Sequence, residues 1–212
     1  QAPTADRVVP GSAPHSDGAG AFVPVQTRSE RPASYDPADF GEPTGREVNW
    51  RYTPVPRLRP LFADDDTESG PQNALEYRID APEGVHVPSQ GMSPGEVFTP
   101  EDVISAIAWK RGTDALHIRV PENAELDAPV RVDIVGKDAA ARGNAHVIIE
   151  ALPNSRAIVV LRHTGSAQYA QNVEIIVRDG ASLEVVSVQR WEDDALHAAA
   201  HQARVDRDAS LR

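Results

Sequence analysis

The second half of the sequence repeats itself. "LPNSRAIVV" (152–160) and "RDGASLEVV" (178–186) align with Ser155 on Ala181, Ala157 on Leu183 and Val159 on Val185, a displacement of 26 residues. "VDRDASLR" (205–212) sets Ala209 on Ala181 and Leu211 on Leu183, a displacement of 28. The strands ahead of these turns keep the same offsets: Val147, Ile149 and Ala151 fall on Val173, Ile175 and Val177. "PENAELDAPVRVDI" (121–134) is an earlier, looser copy, with Ala124 and Leu126 at its turn. A period of this length, made only of strands and small-residue turns, suits a chain wound into coils, each leaving an edge that the next coil pairs.

Within a repeat, Val173, Ile175, Val177, Leu183 and Val185 are apolar while Glu174, Arg178 and Glu184 are not. Alternate side chains of a strand point to opposite faces, so the apolar set lines a narrow interior. The expected fold class is therefore mainly β, a right-handed parallel β-helix preceded by a flexible arm and a short helical capping region. An antiparallel sandwich with a hairpin at Asp179-Gly180 is the competing arrangement.

Ahead of the solenoid, which takes residues 116–212, two regions differ in composition. Residues 1–45 are rich in Pro, Gly, Ser and Ala and read as a flexible arm, with one short helical turn after Ser34. Residues 46–115 hold "REVNWRYTPVPRLRPLF", where Trp50, Tyr52, Leu58, Leu61 and Phe62 crowd between prolines that forbid a long helix. This aromatic segment is expected to clasp the protein's own domain. The acidic stretch "ADDDTESGPQN" (63–73) lacks the ligand spacing of a calcium loop and reads as a solvated loop. "TPEDVISAIAWKRG" is the clearest helix, with Thr99 as N-cap, Pro100 in the first position and Gly112 as the stop. That helix and the clasp are placed to cap the first coil.

Formal charge is −11, so a grip on nucleic acid or an anionic membrane needs a local basic patch. Arg51, Arg57 and Arg59 form such a cluster, read as a solvated arm rather than a nucleic-acid site. The chain holds no cysteine, which excludes disulfides and thiolate metal sites within it. No stretch reaches the roughly 18–20 apolar residues of a membrane span. The start at Gln1 and the stop just after a strand opens at Arg212 suggest a piece of a longer protein, and the default compartment is cytoplasmic.

No phosphate-binding loop with a following Lys and Ser or Thr is present. "HTGSA" (163–167) sets His163 near Ser166 but is no nucleophile elbow, and it is expected in a turn between strands. His197 and His201 have a spacing that joins two zinc ligands on a helix, yet the repeat assigns them to a strand edge. The three histidines are weak metal candidates by residue type alone, and no catalytic or cofactor-binding residue stands out. Glu150 and Glu174 point outward among Arg156 and Arg178, an arrangement expected to be a solvated face rather than the carboxylate pair of a carbohydrate-processing β-helix.

The ordered set "NWRYTPVPRLRPLF", "ALHIRVPENAELDAPVRVDI" and "HTGSAQYAQNVEIIVRDGASLEVVSVQRW" resembles the SufB/SufD family of iron–sulfur cluster assembly scaffolds, over residues 46–212. It looks most like actinobacterial SufD, in keeping with 19 arginines against two lysines. The resemblance implies a parallel β-helix flanked by helical regions, in a SufBCD complex with a SufB-like paralogue and a SufC-like ATPase. It implies a non-enzymatic scaffold subunit that supports iron acquisition, with iron or cluster held only in the assembled complex. The alternative is a carbohydrate-processing enzyme or carbohydrate-binding solenoid. The family's SufC-binding region and its histidine near the metal lie toward the C-terminus, so no functional residue carries over onto this sequence.

Overall fold

The computed structural model describes residues 32–64, 74–87, 95–112 and 115–212. The arm over 1–31 and most of the acidic loop, 65–73, lie outside them. The strands are β1 (Leu75–Asp80), β2 (Ala115–Val120), β3 (Val130–Ala151), β4 (Arg156–Val177), β5 (Ser182–Trp191), β6 (Leu196–Val205) and β7 (Ser210–Leu211). The helices are a short α1 (Val55–Leu58) and α2 (Val103–Arg111), with 3₁₀ turns at Pro37–Asp39 and Arg59–Phe62.

Strand pairing is parallel from β2 onward, which settles the choice between hairpin and coil. Ser182 to Trp191 pair in parallel with Arg156 to Gly165, and Leu196 to Val205 with Gln168 to Val177. The turn at Asp179-Gly180 therefore joins two sides of one coil, and the fold is a parallel β-helix of about three turns. The coils are stacked through one recurring corner. Asn123, Asn154, Gly180 and Asp208 hold positive φ of 59°, 57°, 68° and 55° at equivalent places. After each comes the same turn bond, Ala124 N–H to Pro121 O, Ser155 to Leu152, Ala181 to Arg178 and Ala209 to Asp206, at 3.0–3.3 Å. Asn, Asp and Gly are the residues that tolerate the left-handed region, so the small-polar signature of the repeat is the corner itself.

The other corner has a different physical basis. "HTGSA" is a continuous part of β4 rather than a turn between strands. Gly165 (φ +76°) lies on Gly136 of the preceding coil, and a Cβ on Gly165 would collide with the Gly136 carbonyl oxygen. The two stacked glycines keep the coils paired up to this corner, where the register then shifts between Lys137 and Arg142.

Val132, Ile134, Val147, Ile149, Val159, Leu161, Val173, Val177 and Leu183 are all at most 2% exposed and form the interior. Its first edge is covered by β1, which pairs antiparallel with Arg131–Gly136; this strand carries no repeat signature. Pairing that edge removes the row of open hydrogen-bonding groups that invites association.

α2 lies along the side of the coils rather than over their end. Ile104, Ile107 and Ala108 pack with Ala170 of β4 on one side and with Leu61, Trp50 and Phe62 of the clasp on the other. Its N-cap is Asp102, not Thr99: the Asp102 carboxylate accepts from Ser105 N–H at 2.9 Å, and Ser105 Oγ returns to the Asp102 N–H. The Asp102 carboxylate satisfies one of the open N–H groups of the first turn, and the helix starts three residues later than Pro100 implies. Residues 32–45 are not a free arm either. The Tyr35 hydroxyl donates to Phe98 O at 3.1 Å, its ring meets Trp109 at 4.8 Å, and Ser34 N–H donates to Pro100 O.

Candidate functional site

The solenoid gathers its chemistry-bearing side chains into two places, one inside the coils and one on their outer side. Inside, the apolar ladder turns polar toward the last coils: Ile134, His163 and Gln189 follow one another on neighbouring strands, as do Tyr169 and His197. His163 is fully buried. Its Nε2 donates to Gln171 Oε1 at 3.1 Å and its Nδ1 accepts from Gln189 Nε2 at 3.1 Å. The Gln189 carbonyl oxygen in turn accepts from Trp191 Nε1 at 2.9 Å and from His197 Nδ1 at 3.1 Å. With Nδ1 accepting, the His163 imidazole is neutral and carries its proton on Nε2, while His197 carries a proton on Nδ1.

Ring contacts close the cluster. His197 is stacked on Tyr169 at 5.1 Å and lies 4.9 Å from His163, and Tyr77 meets the Tyr169 hydroxyl at 3.3 Å. Burial sets the acid–base character. It pushes His163 down, pushes His197 down to about 3 with help from the neighbouring imidazoles, and raises the Tyr77 phenol to about 12.

His163 and His197 are thus brought together, while His201, on the same strand face as His197, is not. Four residues along a strand separate Cα atoms by roughly 13 Å, against about 6 Å along a helix. The helical zinc spacing therefore has no helix to act on. Among the described residues no group of three or more His, Cys, Asp or Glu side chains could hold a metal ion. The buried His197 Nε2 has no hydrogen-bond partner, so the cluster offers one open imidazole lone pair and no ligand set.

The outer side corrects the expectation of a solvated carboxylate face. Glu150 and Glu174 are 2% and 1% exposed. Glu150 lies 3.4 Å from His117 Nε2 and accepts from Arg119 Nε at 2.8 Å and Arg178 Nε at 2.9 Å. His117, then Arg178 and Arg119, hold its carboxyl at about 2 against the cost of burial. Glu174 accepts from the backbone N–H groups of Gly95 and Val97 at 2.9 and 2.6 Å and contacts His146 Nε2 at 3.1 Å. Burial raises its carboxyl, but His146 and those two N–H groups leave it below the ordinary value. Segment 95–98 lies against Glu174 and is tied to Glu150 through Arg178, which with Arg204 grips Glu96. The repeat pattern could place these side chains outside the barrel; it held no sign of the segment that covers them. Engaged in this way, they do not form the open pair that glycoside cleavage needs.

The sequence has relatives among known proteins. The family model "SUF system FeS cluster assembly, SufBD core domain" matches residues 134–212, the coils from near the start of β3 onward. The chain is 33% identical over 183 residues to an iron-sulfur cluster assembly SufBD family protein of Mycobacterium leprae, covering 85% of this chain and 46% of that protein. It is 34% identical over 193 residues to the SufBD family proteins of Mycobacterium bovis and of Mycobacterium tuberculosis strain CDC 1551, covering 89% of this chain and 47% of each. The chain belongs to the SufBD family. It spans about half the length of the curated relatives it matches. No solved structure matches. Among the described residues of this SufBD chain, no helix is long and apolar enough to cross a membrane.

Proposed function

We propose that the chain is part of a SufD-like scaffold subunit that acts in iron–sulfur cluster assembly without catalysing a reaction itself. Its partners in this reading are a cysteine-bearing SufB-like paralogue and a SufC-like ATPase, and its compartment is the cytoplasm. The match of the SufBD core to the solenoid coils carries the proposal. Three features of the chain support it. It has no cysteine to anchor a cluster or accept sulfur, so any thiolate ligand lies outside this chain. Its buried carboxylates are held in pairs with arginine and histidine, as in a rigid frame rather than a proton-transfer site. The sequence holds no phosphate loop, so nucleotide hydrolysis by that route also lies outside this chain.

In this reading iron and the nascent cluster are cargo, handled at a joint surface to which the solenoid contributes shape. Deletion of the full gene tests it. The activity of cluster-dependent dehydratases and dehydrogenases is expected to fall while their protein levels hold, with recovery on complementation. Unchanged cluster-dependent activity under iron limitation and oxidative stress would contradict it.

A further inference from the structure

The clasp that covers α2 presents a second face outward, and that face has its own chemistry. Between residues 46 and 59 stand Arg46, Arg51, Arg57 and Arg59 against a single glutamate, in a chain of net charge −11. All four arginines are exposed, and none forms an ion pair with a described residue. The glutamate, Glu47, is used internally: its carboxylate accepts from the Thr44 hydroxyl and from the N–H groups of Thr44 and Gly45, and with its own N–H these bonds hold it at about 2. Beside the arginines, Val48 and Tyr52 are 92% and 90% exposed. The Arg51 guanidinium lies over the Tyr52 ring at 5.6 Å.

The tip is braced by its own turn bonds and one ring contact. Trp50 N–H donates to Glu47 O and Thr53 N–H to Trp50 O, both at 3.0 Å, and the Trp50 ring is anchored edge-on against Phe62 at 5.8 Å. Little conformational freedom is left to lose at the backbone, and Tyr and Arg are the residue types that most often dominate binding energy at interfaces. Arg59 also borders a cleft of about 650 Å³ whose walls include Phe40, Phe62 and Ile107, with Glu42 and Asp64 on its rim. Asp64 is taken up by Lys110 and Arg111.

We propose that the 47–53 turn, with Arg51, Arg57 and Arg59, is a docking surface for an acidic segment of a separate polypeptide that sets an apolar side chain against Val48 and Tyr52. Overall negative charge repels such a segment elsewhere, so the patch fixes where it lands. The same field disfavours nucleic acid, which would also leave Val48 without a partner.

Fluorescence anisotropy with the full-length gene product tests this, using labelled 12-residue peptides of Asp and Glu around one central Leu or Phe. The same peptides with Ser in place of the apolar residue, Lys-for-Glu peptides and a 20-nucleotide single-stranded DNA complete the set. Binding of the acidic apolar peptide is expected to weaken at least tenfold in the Arg51→Glu/Arg57→Glu/Arg59→Glu variant and several-fold in Tyr52→Ala, with unchanged melting temperature. The charge-reversed variant should instead bind the Lys peptide. Equal binding by wild type and the triple variant, no preference for the apolar residue, or tighter arginine-dependent binding of the DNA would each overturn the proposal.

Discussion

Arg178 donates from Nε to Glu150 at 2.9 Å and from its two terminal nitrogens to both oxygens of Glu96 at 2.7 and 2.8 Å. One side chain thus ties a coil to its predecessor and to the segment laid across both. Removing it takes one charged donor from a buried carboxylate that keeps Arg119 and His117 beside it, a loss of about 2 kcal/mol. Arg178→Met is expected to lower stability by that amount in urea unfolding, and Glu96→Gln by distinctly less, because Glu96 is itself 41% exposed at its side chain.

Acid should act on this network in a defined window. The folded Glu150 carboxyl is held at about 2, below its ordinary 4.5, so its stabilisation is complete above about pH 4.5 and disappears as pH falls toward 2. His197 works in the same direction over a higher range. Burial holds the folded imidazole at about 3 against 6.5, so the unfolded chain binds the proton first and stability declines from pH 6.5 downward. Urea unfolding of His197→Phe should show a shallower decline between pH 6.5 and 4.5 than wild type, with His163 and His201 supplying the remainder. Glu150→Gln should alter the slope only below 4.5. Identical slopes for all three proteins would refute this assignment.

The glycine corner is the least tolerant point of the coils. Gly165→Ala forces a side chain onto the Gly136 carbonyl at a positive φ, and Gly136→Ala places a Cβ 2.5 Å from Ser166 O. Either is expected to cost at least about 3 kcal/mol or to prevent folding. Gly41→Ala, with nothing within 4 Å of its added Cβ, should be nearly neutral. Thermal melts of the three variants check the ranking.

The helix cap gives a smaller, cleaner contrast. Asp102→Ala removes the acceptor for Ser105 N–H and should cost about 1 kcal/mol, whereas Thr99→Val, outside the helix, should cost less. Equal losses would place the helix start nearer Pro100.

The solenoid was legible because its cause is local. Asn154, Gly180 and Asp208 mark corners by their own conformational preference, and Val173, Ile175 and Val177 mark the interior by alternation. What the sequence concealed depends on partners far along the chain. Glu174 alternates outward just as a solvated residue would, and only the arrival of Gly95 and Val97, nearly eighty residues earlier, makes it buried. β1 was hidden for a similar reason: Leu75, Tyr77 and Ile79 alternate over only six residues, outside the repeat, and pair antiparallel where every other coil strand is parallel. In the His163–His197 cluster the residue types were visible. Their meeting was not, because Gln189, which bonds to both rings, reads in the sequence as an ordinary strand residue.

The most direct measurement is to tag the full-length gene product in its own cell, purify it gently, and identify stoichiometric companions while assaying iron and ATP hydrolysis. The scaffold account predicts a P-loop ATPase and a cysteine-bearing paralogue of this chain in the same complex, with the hydrolysis activity residing in the ATPase. A protein that purifies alone, with neither companion and no iron, would contradict it.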